Sequence, residues 1–328
     1  MRVLYIYRHP NMGFSIGKVF KPIEEEMRKY AEVDVIYMPV ANYSLCGIWK
    51  NVKAVQNAIK VKQYDIVHIT GTEHYLIPFL RDLRIVVTVH DLGRYLTLSG
   101  LRKWLYYGLH IWMLGYAKKI VCISVATMDE LNRSIKLPKD RIVVIPDVVG
   151  TEFQYSEKPF DTDMPVILHI GTRPHKNLTR TIEAIKDMKC HLRIIGKVGA
   201  EDLTLLTNYK IEYSIVSNLS DDELLQEYKN ADIINFPSFH EGFGMPIIEG
   251  QATGRVVVTS DMEPMRTVAG KEAVICDPYN VQSIKKAYMR CVCDGAYRES
   301  VISAGLENVN NYRLNVVAKQ YYKLYKTL

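Results

Sequence analysis

The segment of this 328-residue chain that carries most chemistry is 237–249, Pro-Ser-Phe-His-Glu-Gly-Phe-Gly-Met-Pro-Ile-Ile-Glu. It follows an apolar run that reads as a strand, and Pro246 is tolerated in a first helical turn. Glu241 then falls in the loop, and Glu249 about one turn into the helix. Gly242 and Gly244, around Phe243 and before Met245, leave backbone N–H groups exposed beside Glu241. Carboxylates accept hydrogen bonds from vicinal hydroxyls, so the pair suits a ligand with two hydroxylated parts, such as a sugar and a ribose. The alternative is a solvated loop acid and an exposed helix acid. A second loop runs Gly171-Thr172-Arg173-Pro174-His175-Lys176-Asn177 before a helix. Arg173 and Lys176 beside that helix N-terminus suit a diphosphate, or they are two surface cations in a turn. A third site is His90, followed by Asp91 at a strand end. It can hydrogen-bond a polar substrate, move a proton, or be a loop residue supported by Asp91. Gly13, after the first strand, permits close backbone approach to a phosphate. An ordinary strand-to-helix turn accounts for it equally, and its spacing is not the dinucleotide fingerprint.

These positions need strands that end at them. Val- and Ile-rich runs at 3–7, 33–38, 66–70, 85–89, 120–123 and 142–145 read as buried strands of a parallel sheet. Residues 15–30 and 49–59 read as helices between them. Residues 151–165, polar and holding Pro159 and Pro165, read as a linker. The pattern restarts with strands at 166–170, 192–195, 211–215, 233–236, 256–259 and 273–276, and helices near 178–187, 221–229 and 245–252. The reading is α/β, two doubly wound, Rossmann-like domains in series: 1–150, then 166–308 after the linker. A polar break at 308–311 precedes a last helix that can lie on either domain. The domain limits place it at 309–328, packing back on the first.

Hydrophobic residues make up 48% and charged residues 24%, which excludes disordered, collagenous and disulfide-framework chains. Six cysteines lack zinc-site spacing and suit reducing cytosol. The first apolar run is too short for a secretory signal, and none is long enough to span a membrane. The net charge of +6 is unevenly placed. Residues 1–150 carry 21 Lys+Arg against 13 Asp+Glu, and residues 151–328 carry 21 against 23. Within the first half, residues 92–128 hold no carboxylate. They hold Arg94, Arg102, Lys103, Lys118 and Lys119, among Tyr95, Trp104, Tyr106, Tyr107, Trp112 and Tyr116. Such a stretch suits an anionic membrane surface or a phosphate-bearing lipid, or else it is a core helix with solvated charged ends. Nucleic acid is the weakest partner, because no recognised module surrounds the stretch.

The 237–249 segment resembles the signature of glycosyltransferase family 4, the retaining GT-B glycosyltransferases of group 1. That signature is a glutamate, Gly-Phe-Gly, an apolar–Pro pair and a second glutamate eight positions on. The resemblance covers nearly the whole chain. His90-Asp91, residues 120–124, Ile145-Pro146, the 171–177 loop, residues 194–197 and 219–228, and Val268-Ala269-Gly270 fall in family order. It implies two domains facing a central cleft, the first for the acceptor and the second for a nucleotide sugar, UDP- or GDP-linked. It implies that Arg173 and Lys176 bind the diphosphate. Glu241 and the Phe243–Gly244 backbone would hold the donor sugar, and Glu249 the ribose. His90 would contact the donor sugar or the reacting centre, and Gly13 would approach the phosphates. Gly171, Gly242 and Met245 belong to the same donor loops. The chain departs from the pattern at Gly250-Gln251 (commonly Ala-Met), at Val256 (commonly Pro) and at Thr267 (often Glu).

The expected reaction moves a sugar from the nucleotide to an acceptor hydroxyl, glycan or lipid-linked, in cell-surface polysaccharide or glycolipid synthesis. The expected setting is the cytoplasm, at the inner face of the membrane where the basic stretch acts. The sequence offers no dedicated nucleophile. No cofactor or metal is expected, because Arg173 and Lys176 can take the leaving-group charge. Asp161-Thr162-Asp163, which resembles the metal motif of the other glycosyltransferase fold, reads as solvated acid before a strand. Two other readings are a sugar-nucleotide epimerase of the same architecture and an inactive, membrane-associated partner of a transferase.

Overall fold

The computed structural model describes residues 1–12 and 15–328, and the statements below concern those residues. The chain divides into two compact units, Met1–Val148 with Leu314–Leu328, and Val149–Arg313.

In the first unit β1 (Arg2–Tyr7), β2 (Glu32–Tyr37), β3 (Ile66–Ile69), β4 (Ile85–Val89), β5 (Lys119–Cys122) and β6 (Ile142–Val144) form one parallel sheet, ordered β2-β1-β3-β4-β5-β6. Val3 lies opposite Val33 on one side and Ile66 on the other. The central strands are buried along their whole length, which is why their sequences run apolar without alternation. The helices are α1 (Ser15–Met27), α2 (Leu45–Val61), α3 (Gly93–Thr97), α4 (Gly100–Tyr106) and α5 (Val125–Ser134). Ser44 caps α2 by accepting from the Gly47 N–H, so that helix starts four residues before its expected limit. Helix α1 ends three residues early. There Arg28 turns its guanidinium to the Val33 carbonyl (2.8 Å) and Glu24 (2.7 Å), leading the chain into β2.

In the second unit β7 (Val166–Ile170), β8 (His191–Ile195), β9 (Glu212–Val216), β10 (Ile233–Phe236), β11 (Val256–Ser260) and β12 (Val274–Cys276) form a parallel sheet ordered β12-β11-β10-β7-β8-β9. Its helices are α6 (Leu178–Ile185), α7 (Ala200–Asn208), α8 (Asp221–Asn230), α9 (Met245–Ala252), α10 (Met265–Ala269), α11 (Val281–Cys293) and α12 (Gly295–Val309). Every expected strand is present, its ends shifted by at most one residue. The strand order reverses between β7 and β10. In open sheets of this kind a ligand crevice forms there, beyond the strand ends.

Two expectations about connections need correction. Residues 151–165 are not a free linker but part of the second unit. Phe153 packs edge-on against Tyr228 at 5.2 Å, and Lys158 pairs with the buried Asp232. The polar run at 308–311 is not a break at its start, because Asn308 lies inside α12. Its amide donates to Gln251 Oε1 (2.9 Å) and the Val268 carbonyl (2.8 Å), tertiary partners that sequence alone does not reveal. Helix α13 (Leu314–Lys326) packs on the first unit. The Tyr325 hydroxyl meets Tyr5 Oη at 3.0 Å and His68 Nδ1 at 2.5 Å, and Tyr321 stands edge-on to Phe20 at 5.7 Å.

Candidate functional site

The loops after β7 and β10 converge at the point where the second sheet reverses. Gly171 directly follows β7 at φ +87°, a conformation other residues rarely adopt. The Lys176 stem lies over it, 3.2 Å from where a Cβ would sit. Lys176 Nζ lies 4.4 Å from the Phe236 ring centroid and donates to Glu241 Oε1 at 2.7 Å. The structure therefore brings together the lysine of one loop and the carboxylate of the other. His175 Nε2 faces the same oxygen at 3.9 Å, and burial lowers the His175 pKa despite the pull of Glu241. Arg173 stands exposed at the head of the short turn Pro174–Lys176.

Two backbone-directed contacts hold the loops in register. Asn177 sits in the left-handed region (φ 65°), and its buried amide donates to the Pro237 carbonyl (3.1 Å) and the Pro278 carbonyl (2.7 Å). That ties the segments after β7, β10 and β12 together. The Phe239 N–H donates to the His175 carbonyl at 2.8 Å. Gly244, at φ +112°, turns the chain into α9, with Pro246 in its first turn. Phe243 is buried and edge-on to Tyr312, so it anchors the loop by its side chain. Gly242 and Met245 flank that turn, and both are half-buried. Glu249 lies inside α9, and the buried Tyr228 of α8 donates its hydroxyl to Glu249 Oε2. Burial, reinforced by the Glu249 charge, holds the Tyr228 phenol well above its ordinary pKa, so it remains a donor.

In the first unit, His90 follows β4. Its Nε2 lies 3.0 Å from the Thr70 carbonyl oxygen and its Nδ1 3.8 Å from Asp147 Oδ1. Gly13 lies outside the described residues. Arg94 is on α3, and Arg102 and Lys103 are on α4. Arg94 and Arg102 are exposed, and Lys103 covers the Tyr95 ring at 4.8 Å. The aromatics of this stretch divide between two surroundings. Tyr95, Tyr106 and Tyr107 pack on the core, whereas Trp104 is 74% exposed and Trp112 50%.

The sequence profile described as "Glycosyl transferases group 1" matches residues 151–307, and that described as "Glycosyltransferase Family 4" matches residues 19–153. The chain belongs to glycosyltransferase family 4. The O-antigen chain mannosyltransferase B of Escherichia coli is 27% identical over 240 residues, 66% of this chain and 62% of that protein. The chain thus spans less than two thirds of the length of that curated relative. Sucrose-phosphate synthase from Thermosynechococcus elongatus superimposes with a TM-score of 0.79 at 18% identity, covering 100% of this chain and 98% of that one. Anabaena HepE, solved in complex with UDP and glucose, gives 0.77 at 15% identity, covering both chains fully. Each unit has the α/β architecture of the GT-B fold.

Two departures from the family-4 signature have local causes. A Cβ at Gly250 would lie 2.7 Å from Ile234 Cγ1 and 2.9 Å from Val257 Cγ2, so α9 packs against β10 and β11 too closely for alanine. Gln251 is buried and donates to the Ala269 carbonyl at 2.7 Å while accepting from Asn308. A methionine there would take from the Ala269 carbonyl this donor and from Asn308 one of its two acceptors. Sequence reasoning passed over Tyr228, Asn177, His175 and Asp147. Asn177, sitting directly before a helix in a loop already singled out, offered the clearest signal of the four.

Proposed function

We propose that this chain is a retaining glycosyltransferase that moves a sugar from a UDP- or GDP-linked donor to an acceptor hydroxyl in cell-surface polysaccharide or glycolipid synthesis. The observation that carries the reading is the Lys176–Glu241 contact at the reversal point of the second sheet. A cation for a diphosphate and a carboxylate for sugar hydroxyls stand side by side there, with Arg173 on the same loop. Glu249, held by Tyr228, is the ribose ligand. Glu241 with the Gly242–Met245 backbone holds the sugar, and Gly171 lets Lys176 lie close to the phosphates.

In the reaction, the bond from the anomeric carbon to the diphosphate oxygen breaks as the bond from the acceptor oxygen forms on the same face. The acceptor proton passes to the departing phosphate. Charge on that phosphate peaks in the transition state, where Arg173 and Lys176 stabilise it. Those two cations make the reaction metal-independent, so activity is expected to survive EDTA.

Incubating the protein with UDP- and GDP-hexoses, and following nucleoside diphosphate and sugar by NMR, tests the reading. One donor should release its nucleoside diphosphate, slowly without acceptor. A changed sugar still attached to its nucleotide would identify an epimerase instead, and no turnover of any donor would favour an inactive partner.

The acceptor is lipid-linked in this proposal, and the first unit meets an anionic membrane at the cytoplasmic face. Leu101, Trp104, Leu105 and Trp112 are exposed beside Arg94 and Arg102, in a stretch without carboxylates. No described helix is long and apolar enough to cross a membrane. Near an anionic surface each cation contributes about 1 kcal/mol, screened by salt. In a co-sedimentation assay, binding is expected with anionic vesicles and not neutral ones, should weaken with salt, and should fall when Arg102 and Lys103 become Glu. A protein that stays in the supernatant with anionic vesicles at low salt contradicts the membrane reading.

A further inference from the structure

In the first unit a cavity of about 340 Å³ opens between α3, α4 and the end of α5. Its walls are Tyr95 of α3, Gly100, Lys103 and Trp104 of α4, Tyr107 just beyond α4, and Ser134 of α5. Four of these recur at the three- and four-residue spacing that puts side chains on one helix face, so the local sequence builds the cavity. The rings brace one another. Tyr95 lies 6.0 Å from Tyr107, and Trp104 meets Tyr107 edge-on at 6.4 Å. A Cβ at Gly100 would meet no neighbouring heavy atom within 4 Å, so that side stays open.

The walls select the ligand. Three aromatic rings offer an apolar lining. A sugar needs hydrogen-bond acceptors, and no carboxylate is among the lining residues. The Ser134 hydroxyl is already donating to the Glu130 carbonyl at 2.8 Å. Asp129 and Glu130 lie about one turn back along α5 and do not line the cavity. The charged group that does is Lys103, its ammonium 4.8 Å from the Tyr95 ring centroid. Exposed arginines adjoin three of the lining residues in the chain: Arg94 beside Tyr95, Arg102 beside Lys103 and Arg133 beside Ser134. Trp104 is a wall of the cavity and yet 74% exposed, and Leu101 and Leu105 on the same helix are exposed as well. The apolar lining therefore continues onto an apolar, cationic surface, which matches a ligand with a hydrocarbon chain and an anionic head.

We infer that this cavity binds a phosphate-headed lipid, the first part of its chain lying between Tyr95, Trp104 and Tyr107 and its phosphate pairing with Lys103. The inference deepens the lipid-linked acceptor proposed above and rests on that reading for its purpose. The site itself is tested without a membrane or a donor.

The chain has three tryptophans, Trp49, Trp104 and Trp112. Trp49→Phe with Trp112→Phe in the full chain leaves Trp104 as the reporter. Dodecyl phosphate and farnesyl phosphate, each below its micelle concentration, are titrated in. Saturable blue-shifted emission is expected with at least one, and the tighter of the two tells a straight-chain from an isoprenoid lipid. Dodecanol should bind more weakly, and inorganic phosphate should leave the emission unchanged. Lys103→Gln should weaken binding of the phosphate about tenfold, as for one hydrogen bond to a charged group. Ser134→Phe, which fills the cavity, should abolish the shift. No saturable shift with either phosphate overturns the inference, as does a shift that neither substitution alters, or one given by methyl hexosides and not by the lipids. Lys103 is only half-buried, so Lys103→Gln decides even if Ser134→Phe does not fold. Vesicle co-sedimentation without this titration response overturns the cavity alone and leaves the membrane reading and the transferase reading intact.

Discussion

Lys176→Ala is expected to lower turnover at saturating donor by about two to three orders of magnitude, the range found when one preorganised charge-stabilising group is removed from an active site. The substitution removes the charge that meets the leaving diphosphate and takes from Glu241 its 2.7 Å ion pair. Donor binding should weaken less than turnover, because the interaction strengthens as the bond breaks. Lys176→Arg, which keeps the charge but not its position, should recover part of the loss. Initial rates across donor concentrations separate the two parameters, and normal kcat in Lys176→Ala would remove the lysine from the mechanism. Arg173→Ala should act in the same sense.

Glu249→Ala should weaken nucleoside diphosphate binding by about 30- to 100-fold, since hydrogen bonds to a charged acceptor contribute roughly 1.5–3 kcal/mol. Pyrophosphate, which has no ribose, should bind the variant as it binds the wild type. The same substitution strips the buried Tyr228 phenol of its acceptor and lowers stability by about 1–3 kcal/mol. Glu249→Gln, which still accepts from Tyr228, separates lost folding from lost recognition. Tyr228→Phe should cost about tenfold in nucleoside diphosphate affinity, because the carboxylate loses the group that orients it. Calorimetry on the folded variants checks all of these, and unchanged affinity in Glu249→Ala would place the ribose elsewhere.

The inner strands β3, β4, β10 and β11 were legible because they are buried, largely apolar runs rich in Val and Ile, whose pattern needs no partner to be recognised. The 151–165 segment misled because its polarity is satisfied at long range, as where Lys158 reaches Asp232, 74 residues on. Asn308 misled for the same reason. Lys176 and Glu241 were legible as chemistry, but their direct contact depends on two loops brought together by the β7–β10 reversal. Asn177 is read as a clamp only once Pro278, 101 residues away, is known to be its neighbour. The aromatics of 92–128 do not divide by type. Tyr106 and Trp104 lie two residues apart on α4, and only the turn of the helix sends one to the core and the other to solvent.

The most direct test of the account is calorimetric titration of the wild-type chain with UDP and GDP, alongside Glu249→Ala and Lys176→Ala. The account predicts saturable binding of one of the two at a single site, strongly weakened by the first variant and less so by the second. Absence of binding to either nucleotide at millimolar concentration, or binding that neither substitution alters, would contradict a nucleotide-sugar site at the reversal of the second sheet.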